Sequence, residues 1–541
     1  MVNMQRFVLK QKSYNQQYSH IYVSRLLQLR DVVLRRVEEL LASRPADQRD
    51  VPVLSKIIDL RPGTECIIIG TVLKMLAAKP DLFDALTSDE KIVSLTSMQV
   101  KMATRDDQLV LEDESGRVEL TGDAISVGEM ATGVVLGVRG RMVDGKGGFR
   151  VEEVFVPAFA PQAPLPPRER SAYVALVSGL RLGRDNETAP LRYHLLMDYL
   201  AGRVGDDDEK AFVSQIVRTI VVGESVDGAG VAQLSKQKKT SKDAAATIEQ
   251  MNVEVAPMRN LDELLSTLAS AMSVDVLPGD SDPSNHALPQ QSFHSCLFPR
   301  SARFASFRAV TNPYEAQIGD VAFLGHAGQP LASLLQCTLS ARSEDALDAD
   351  DVSMEGGGGA TTEHDAREVE DALDCMERCL EWRHVAPTAP DLISSFPIAN
   401  EDPFVMETCP HVFFSGNTKA FGSRLVEGSL LWCTGNCMCE RDRERRLTAC
   451  VRAGMQDPMD SACGLCWCRR SPRRRPSCSW ICRTCRAFPS ASHCKAKHKR
   501  NKKNSGMQSG NLFHAVPLAN EASDRSASVG HSSKVLRGDQ S

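Results

Sequence analysis

Four short segments hold the polar residues best placed to do chemistry, each directly after an apolar, β-rich run. They are Ser178-Gly-Leu180, Gly223-Glu-Ser-Val226, Pro278-Gly-Asp-Ser-Asp282 and Ser415-Gly-Asn-Thr418. Loops at strand ends are where a layered α/β enzyme places its site. The spacing invites comparison with two-metal phosphoester hydrolysis, in which Asp, His and Asn ligands from several loops hold two cations and generate a hydroxide. Its usual signatures are D-x-H, G-D-x-x-D, G-N-H-D and G-H-x-H. Here Ser178 and Leu180 stand where Asp and His are needed. The second loop retains one carboxylate, Glu224, and with Val226 lacks the bridging Asp. Asp280 and Asp282 come without the Asn–His pair, and Asn417 has no histidine at either expected place. A dinuclear site cannot survive losing nearly all its nitrogen ligands and its bridging carboxylate. The expectation is therefore no catalytic residue, no metal and no cofactor.

Other candidates are weaker. Gly325-His-Ala-Gly328 is half of a G-H-x-H signature, and Asn285-His286 lies several residues past its strand end with Ala287 following. Both read as incidental polar loop residues. The acid cluster Asp348-Ala-Asp350-Asp351 sits among low-complexity neighbours and reads as a solvated run. There is no Walker A loop, no G-x-S-x-G elbow and no H-E-x-x-H. Cys463-x2-Cys466 and Cys482-x2-Cys485, fifteen residues apart, match a four-cysteine zinc ribbon. Eleven cysteines crowd between Cys433 and Cys494, however, so such spacings arise by chance, and Arg469-Arg-Ser-Pro-Arg-Arg-Arg-Pro476 between the pairs has no hairpin pattern. Three readings of this region stay open: a segment translated out of frame or through an intron, a disordered basic tail, and a metal module. In the second, Lys495-Ala-Lys-His-Lys-Arg-Asn-Lys-Lys503 would be a nuclear-import or nucleic-acid patch.

The elements that must position the loops are legible from periodicity. Tyr18, Tyr22, Leu26, Leu29, Val33, Val37 and Leu41 recur three or four apart, which predicts a helix over 14–43 ended by Arg44-Pro45. Arg25, Arg30, Arg35 and Arg36 give it a basic polar face. From Ser55 to Pro157 the period becomes two, with runs at Glu65–Leu73, Gln108–Leu111, Arg117–Thr121, Gly133–Arg139 and Phe149–Val156 and a helical piece between Asp81 and Lys91. About five strands suggest a small barrel of the OB type. Ala160–Pro167 is a Pro-rich stiff linker. Strand-like and helix-like runs then alternate, interrupted by polar stretches at 228–246 and 343–371 that read as disordered insertions.

Composition narrows the function. The 541 residues hold 64 basic and 69 acidic side chains, a net −5, and the charge is uneven. From Cys433 onward there are 21 Lys+Arg against 8 Asp+Glu, leaving 43 against 61 in residues 1–432. An acidic body repels phosphate. An OB barrel that binds single strands stacks bases on aromatics along a basic groove. Residues 60–145 offer one aromatic, Phe83, and 14 acids against 9 bases, so a structural or protein-binding barrel is expected. No apolar run reaches the about 18–20 residues of a membrane helix, and Met1–Lys12 has no apolar signal core, which argues against export.

Six segments, in order, resemble the small (B) subunits of replicative DNA polymerases, most closely the delta type. They are Tyr18–Leu26, Ser178–Gly183, Val276–Asn285 with Leu288-Pro-Gln-Gln291, Val310–Tyr314, Leu324–Gln329 and Cys409–Asn417. The resemblance implies an α+β and α/β multidomain fold. It comprises an N-terminal helical segment (1–45), an OB-fold domain (46–160) and an inactive calcineurin-like phosphoesterase β-sandwich flanked by helices (168–432); the resemblance stops after about Gly428, and 433–541 remains a Cys/Arg-rich tail, disordered in one of its three readings. It implies a non-catalytic nuclear scaffold in DNA replication and repair. Its partners would be the cysteine-rich C-terminal module of the catalytic subunit and a third accessory subunit, with indirect links to the sliding clamp and DNA. The alternatives are the small subunit of another replicative polymerase, an active metal-dependent phosphoesterase, or a single-strand-binding protein.

Overall fold

In a computed structural model, the structure describes residues 2–3, 5–10, 15, 17–45, 49–79, 101–143, 148–166, 172–183, 191–227, 244–339, 360–398, 401–435, 449–450 and 514–517. The helical piece expected between Asp81 and Lys91, the acids at 348–351 and the paired cysteines 463, 466, 482 and 485 lie outside these residues.

The first helix, α1, runs Ser19–Ala42. Its stripe of Leu26, Leu29, Val33, Val37 and Leu41 packs against Ile67, Ile69, Val135 and Phe155. A lone helix does not persist in water, and this one is held by that apolar wall. Tyr18, expected on the apolar face, is exposed. Arg25, expected on the basic polar face, is fully buried.

That wall belongs to five strands, β2 (Glu65–Met75), β3 (Gln108–Glu112), β4 (Arg117–Thr121), β5 (Val135–Met142) and β6 (Gly148–Phe155). They close in the order β2-β3-β4-β6-β5, with β5 returning to β2. Alternation does the work: Val118 and Leu120 of β4 turn inward while Arg117, Glu119 and Thr121 face solvent.

Two six-stranded sheets follow. The first has the order β10-β9-β8-β7-β17-β16, with β7 (Tyr173–Val177), β8 (Ile216–Val222), β9 (Ser273–Leu277) and β10 (Phe307–Ala309) in parallel and β17 (His514–Pro517) and β16 (Ala449–Cys450) beyond β7. The second has the order β1-β11-β12-β13-β15-β14, from β1 (Val2–Asn3), β11 (Tyr314–Ile318), β12 (Val321–His326), β13 (Val412–Thr418), β14 (Gly422–Val426) and β15 (Ser429–Gly435). Val174, Leu176, Ile220, Tyr314, Phe323, Phe414 and Trp432 form the layer between them. Parallel strands buried on both faces need continuous apolar runs, which Tyr173-Val-Ala-Leu-Val177 supplies. Helices α2 (Leu191–Leu200) and α4 (Ala244–Ala269) contribute to the core outside the first sheet, and the short α3 (Asp207–Val213) leads into β8. Helices α5 (Gln329–Cys337) and α6 (Ala360–Glu381) lie outside the second sheet, where Leu334, Leu373 and Met376 share one core with barrel residues Leu109, Leu136 and Val138. Barrel and sheets are thus joined by a continuous apolar interior.

Four expectations need correction. The stretch 228–246 ends in α4, and 343–371 ends in α6 from Ala360 on. The acids of α6 are the polar face of an amphipathic helix whose Ala372, Leu373, Met376 and Leu380 are buried. The Pro-rich linker is not a free spacer: Gln162 Nε2 donates to Pro410 O and Ser429 Oγ, both at 3.1 Å, and Cys409 N donates to Pro161 O at 3.1 Å. The expected boundary at 432/433 falls inside β15, where Cys433 is buried, and residues 449–450 and 514–517 form β16 and β17 of the first sheet. A disordered tail over all of 433–541 therefore does not hold.

Candidate functional site

Because β7, β8 and β9 are parallel, and β12 and β13 parallel in the facing sheet, the loops after them gather at one end of the sandwich. The seven candidate positions are brought together there. Ser178 Oγ lies 2.8 Å from Thr434 Oγ1 and accepts from Asn417 N at 3.3 Å. Leu180 is fully buried and its carbonyl accepts from Tyr193 Oη at 2.6 Å. Asn417 donates from Nδ2 to Val222 O at 3.1 Å and Ala327 O at 2.7 Å, which ties the two sheets together.

The carboxylates are spent on the protein itself. Asp282, 3% exposed, accepts from Val226 N on Oδ1 at 2.9 Å and from Gly279 N on Oδ2 at 2.8 Å. Burial pushes its pKa up to about 6, against the pull of those amides. Glu224 is paired with Arg181, which donates from Nε at 2.6 Å; burial nonetheless raises its pKa. Asp280 lies 4.0 Å from His286 at the rim, and its charge adds to the rise at Glu224.

The loops also fill the cleft with backbone. A β-carbon on Gly279 would stand 2.4 Å from Glu224 N, and one on Gly416 would stand 2.6 Å from Val222 Cγ1. Only glycine permits that approach. Among the described residues no group of three or more His, Cys, Asp and Glu is placed to hold a metal ion. His326, from the half-signature, is 1% exposed, its ring edge-on to Phe413, and it shares strand parity with Leu324 of the outer core. Burial drops its pKa to about 3, so it is a neutral imidazole whose Nδ1 accepts from Gly328 N at 3.2 Å.

Two polar constellations escaped the reading by spacing. The first lies beneath the loops. Asn312 Nδ2 donates to Gln290 Oε1 at 2.7 Å and to Gln329 Oε1 at 3.0 Å, while Gln290 Nε2 donates to Gly279 O at 3.1 Å. These amides come from three of the segments that carry the family resemblance, so those motifs build the floor of the cleft. The second is Arg25, whose Nε donates to Asp402 Oδ2 at 2.7 Å and whose other nitrogens donate to the carbonyls of Gly133, Pro387 and Ala389. His384 Nε2 meets the same Asp402 oxygen at 2.9 Å. One side chain of α1 thus joins the barrel to the sheets.

On the barrel, arginines that could track a nucleic-acid backbone face carboxylates: Arg139 beside Glu65, Arg141 beside Glu152 at 3.0 Å and Arg117 near Glu112 at 3.8 Å. Phe149 and Phe155 are buried rather than displayed for stacking.

The family described as DNA polymerase delta subunit OB-fold domain matches residues 17–154, and the family of the B subunits of DNA polymerases alpha and epsilon matches residues 174–423. The chain is 36% identical over 427 residues to the DNA polymerase delta small subunit of Arabidopsis thaliana, covering 79% of this chain and 86% of that one. It is 34% identical over 425 residues to the small subunit of Oryza sativa, covering 78% and 88%. To that of Saccharomyces cerevisiae it is 31% identical over 431 residues, covering 77% and 83%. Matched over its barrel by the delta OB-fold family and at 31–36% identity to delta small subunits over most of their length, the chain belongs to the family of DNA polymerase delta small subunits.

Proposed function

We propose that this polymerase subunit is a non-catalytic scaffold of the delta complex in the nucleus. In this reading it grips the cysteine-rich C-terminal module of the catalytic subunit, carries a third accessory subunit and so links the enzyme to its sliding clamp in replication and repair. The observation that carries it is Asp282: both carboxylate oxygens are engaged by amides of its own loops, so the best remaining ligand is a structural clamp. A hydrolytic site needs open coordination positions on its metals, and these loops are in backbone contact instead. The paired arginines and inward aromatics of the barrel favour protein over single-stranded nucleic acid. A silent cleft leaves its loop surfaces free to join a protein interface of about 1,600 Å² or more.

The test is co-purification of the full chain with the catalytic subunit, alongside hydrolysis of a generic phosphodiester in manganese. Capture that depends on the cysteine module, with no turnover, is expected. Manganese-dependent turnover lost in Asp280→Asn or Asp282→Asn would overturn the scaffold reading in favour of an active phosphoesterase.

A further inference from the structure

A cavity of about 550 Å³ opens where α1, the connection leaving the barrel and the loops after α6 meet, apart from the four strand-end loops. Its floor is apolar: Leu29, Val405 and Met406 are buried there, and Val32 and Phe159 are half-buried. Its charged groups are Arg35, Arg36 and Glu39 of α1, Arg383, and Glu407. Arg36 lies 3.8 Å from Glu39, and the charge of Glu407 acts on Arg6. Arg35 and Arg383 are left over, and among the described residues neither is ion-paired with a carboxylate. Arg35 donates from Nε to Asp31 O of its own helix at 3.2 Å. Arg383 donates from Nε to Ala158 O at 2.7 Å and from Nη2 to Phe159 O at 2.9 Å, which leaves Nη1 unengaged. Burial, and after it the positive charge of Arg35, lowers the Arg383 pKa, so the two cations feel each other.

The backbone of this wall is strained. Arg383 closes α6, with His384 N donating to Cys379 O at 2.9 Å and Arg383 N to Leu380 O at 3.2 Å. That pattern places a left-handed residue at the helix end, usually glycine, yet here an arginine takes it at φ +53°. Ala158, whose carbonyl the arginine holds, is left-handed too, at φ +61°. Such outliers persist only where the surroundings over-determine them, and they cluster at ligand clamps. We propose that this cavity takes a short extended segment of a partner protein, with a carboxylate between Arg35 and Arg383 and a bulky apolar side chain on Leu29, Val32 and Phe159. A guanidinium presents forked donors that match a carboxylate, and the apolar floor has no use for a bare phosphate. The excess of acids in residues 1–432, 61 against 43 bases, disfavours a long polyanion. The site does not depend on the strand-end cleft being silent.

The test applies the full chain to an array of short synthetic peptides in which Asp or Glu stands beside Leu or Phe, each paired with its Asn or Gln counterpart. Acidic peptides are expected to be retained about tenfold or more over their amide counterparts. Arg383→Gln should remove that preference, but it also frees the Ala158 and Phe159 carbonyls, so its thermal unfolding is measured alongside. Arg35 is exposed and bonded to its own helix, so Arg35→Gln should lose the preference with an unchanged Tm. Equal retention of acidic and amide peptides, or a preference unchanged in Arg35→Gln, would overturn the proposal. Binding of a single-stranded oligonucleotide that is lost in the same variants would overturn it as well, in favour of a phosphate site.

Discussion

Replacing Arg25 by Met is the sharpest test of how the chain is held together. Arg25 is fully buried and paired to a fully buried Asp402 at 2.7 Å, with three carbonyls from two regions of the fold on its remaining nitrogens. Burial alone would push the Asp402 carboxyl up; Arg25 and His384 hold it well below the ordinary carboxylate range instead. Methionine roughly keeps the apolar stem but leaves a buried carboxylate facing only His384 and the Phe404 amide. Breaking one partner of such a pair costs about 3–5 kcal/mol, a large share of the about 5–15 kcal/mol that holds a folded domain. For domains of this size that corresponds to roughly 6–20 °C in Tm. Since Gly133 lies at the barrel and Pro387, Ala389 and Asp402 lie beside the sheets, proteolysis in the 157–172 connection should accelerate as well. Double-mutant cycles with Asp402→Asn measure the coupling, expected at about 2 kcal/mol or more. An Arg25→Met protein that melts within about 2 °C of the native chain, or a coupling near zero, would refute the argument that this ion pair joins the two halves.

Acid sensitivity should trace to buried imidazoles. His326 has a folded pKa of about 3 and His384 of about 4, below their unfolded values, so the unfolded state binds protons that the folded state cannot. Each therefore removes about 1.4 kcal/mol per pH unit as pH falls below about 6.5, and His326→Gln should flatten the fall in denaturant stability between about pH 6.5 and 4.5 by about that slope. Asp282 runs the other way: its folded pKa of about 6 lies above the unfolded value, so its contribution is complete below the unfolded pKa and lost as pH rises through 6. Asp282→Ala should cost about 1–3 kcal/mol through its orphaned amides, more at about pH 5 than at about pH 7.5; an unchanged Tm at both pH values would mean that the carboxylate does not clamp the loops.

Much of the architecture was legible because it is local. Period-two alternation located Arg117–Thr121 to the residue, and the apolar runs before Gly223 and Pro278 marked strands whose parallel pairing gathers the loops. The poverty of histidine in those loops was equally readable, since ligand types are properties of residues and not of packing. What spacing could not supply were partners far apart in the chain. Arg25 looks like one more cation on a basic helical face, yet it meets an acid 377 positions away, and only the docking of α1 against both barrel and sheets makes it a buried ion. Asp282 looks like a surviving ligand until the neighbouring loops present their amides to it. Cys433 and His514–Pro517 look like parts of a Cys/Arg-rich tail until β15 and β17 take interior places in the two sheets. Sequence determined which segments would be strands and helices and which chemistry they lacked. The tertiary structure decided which polar groups leave water, because desolvation depends on what packs around a group and not on its neighbours in the chain.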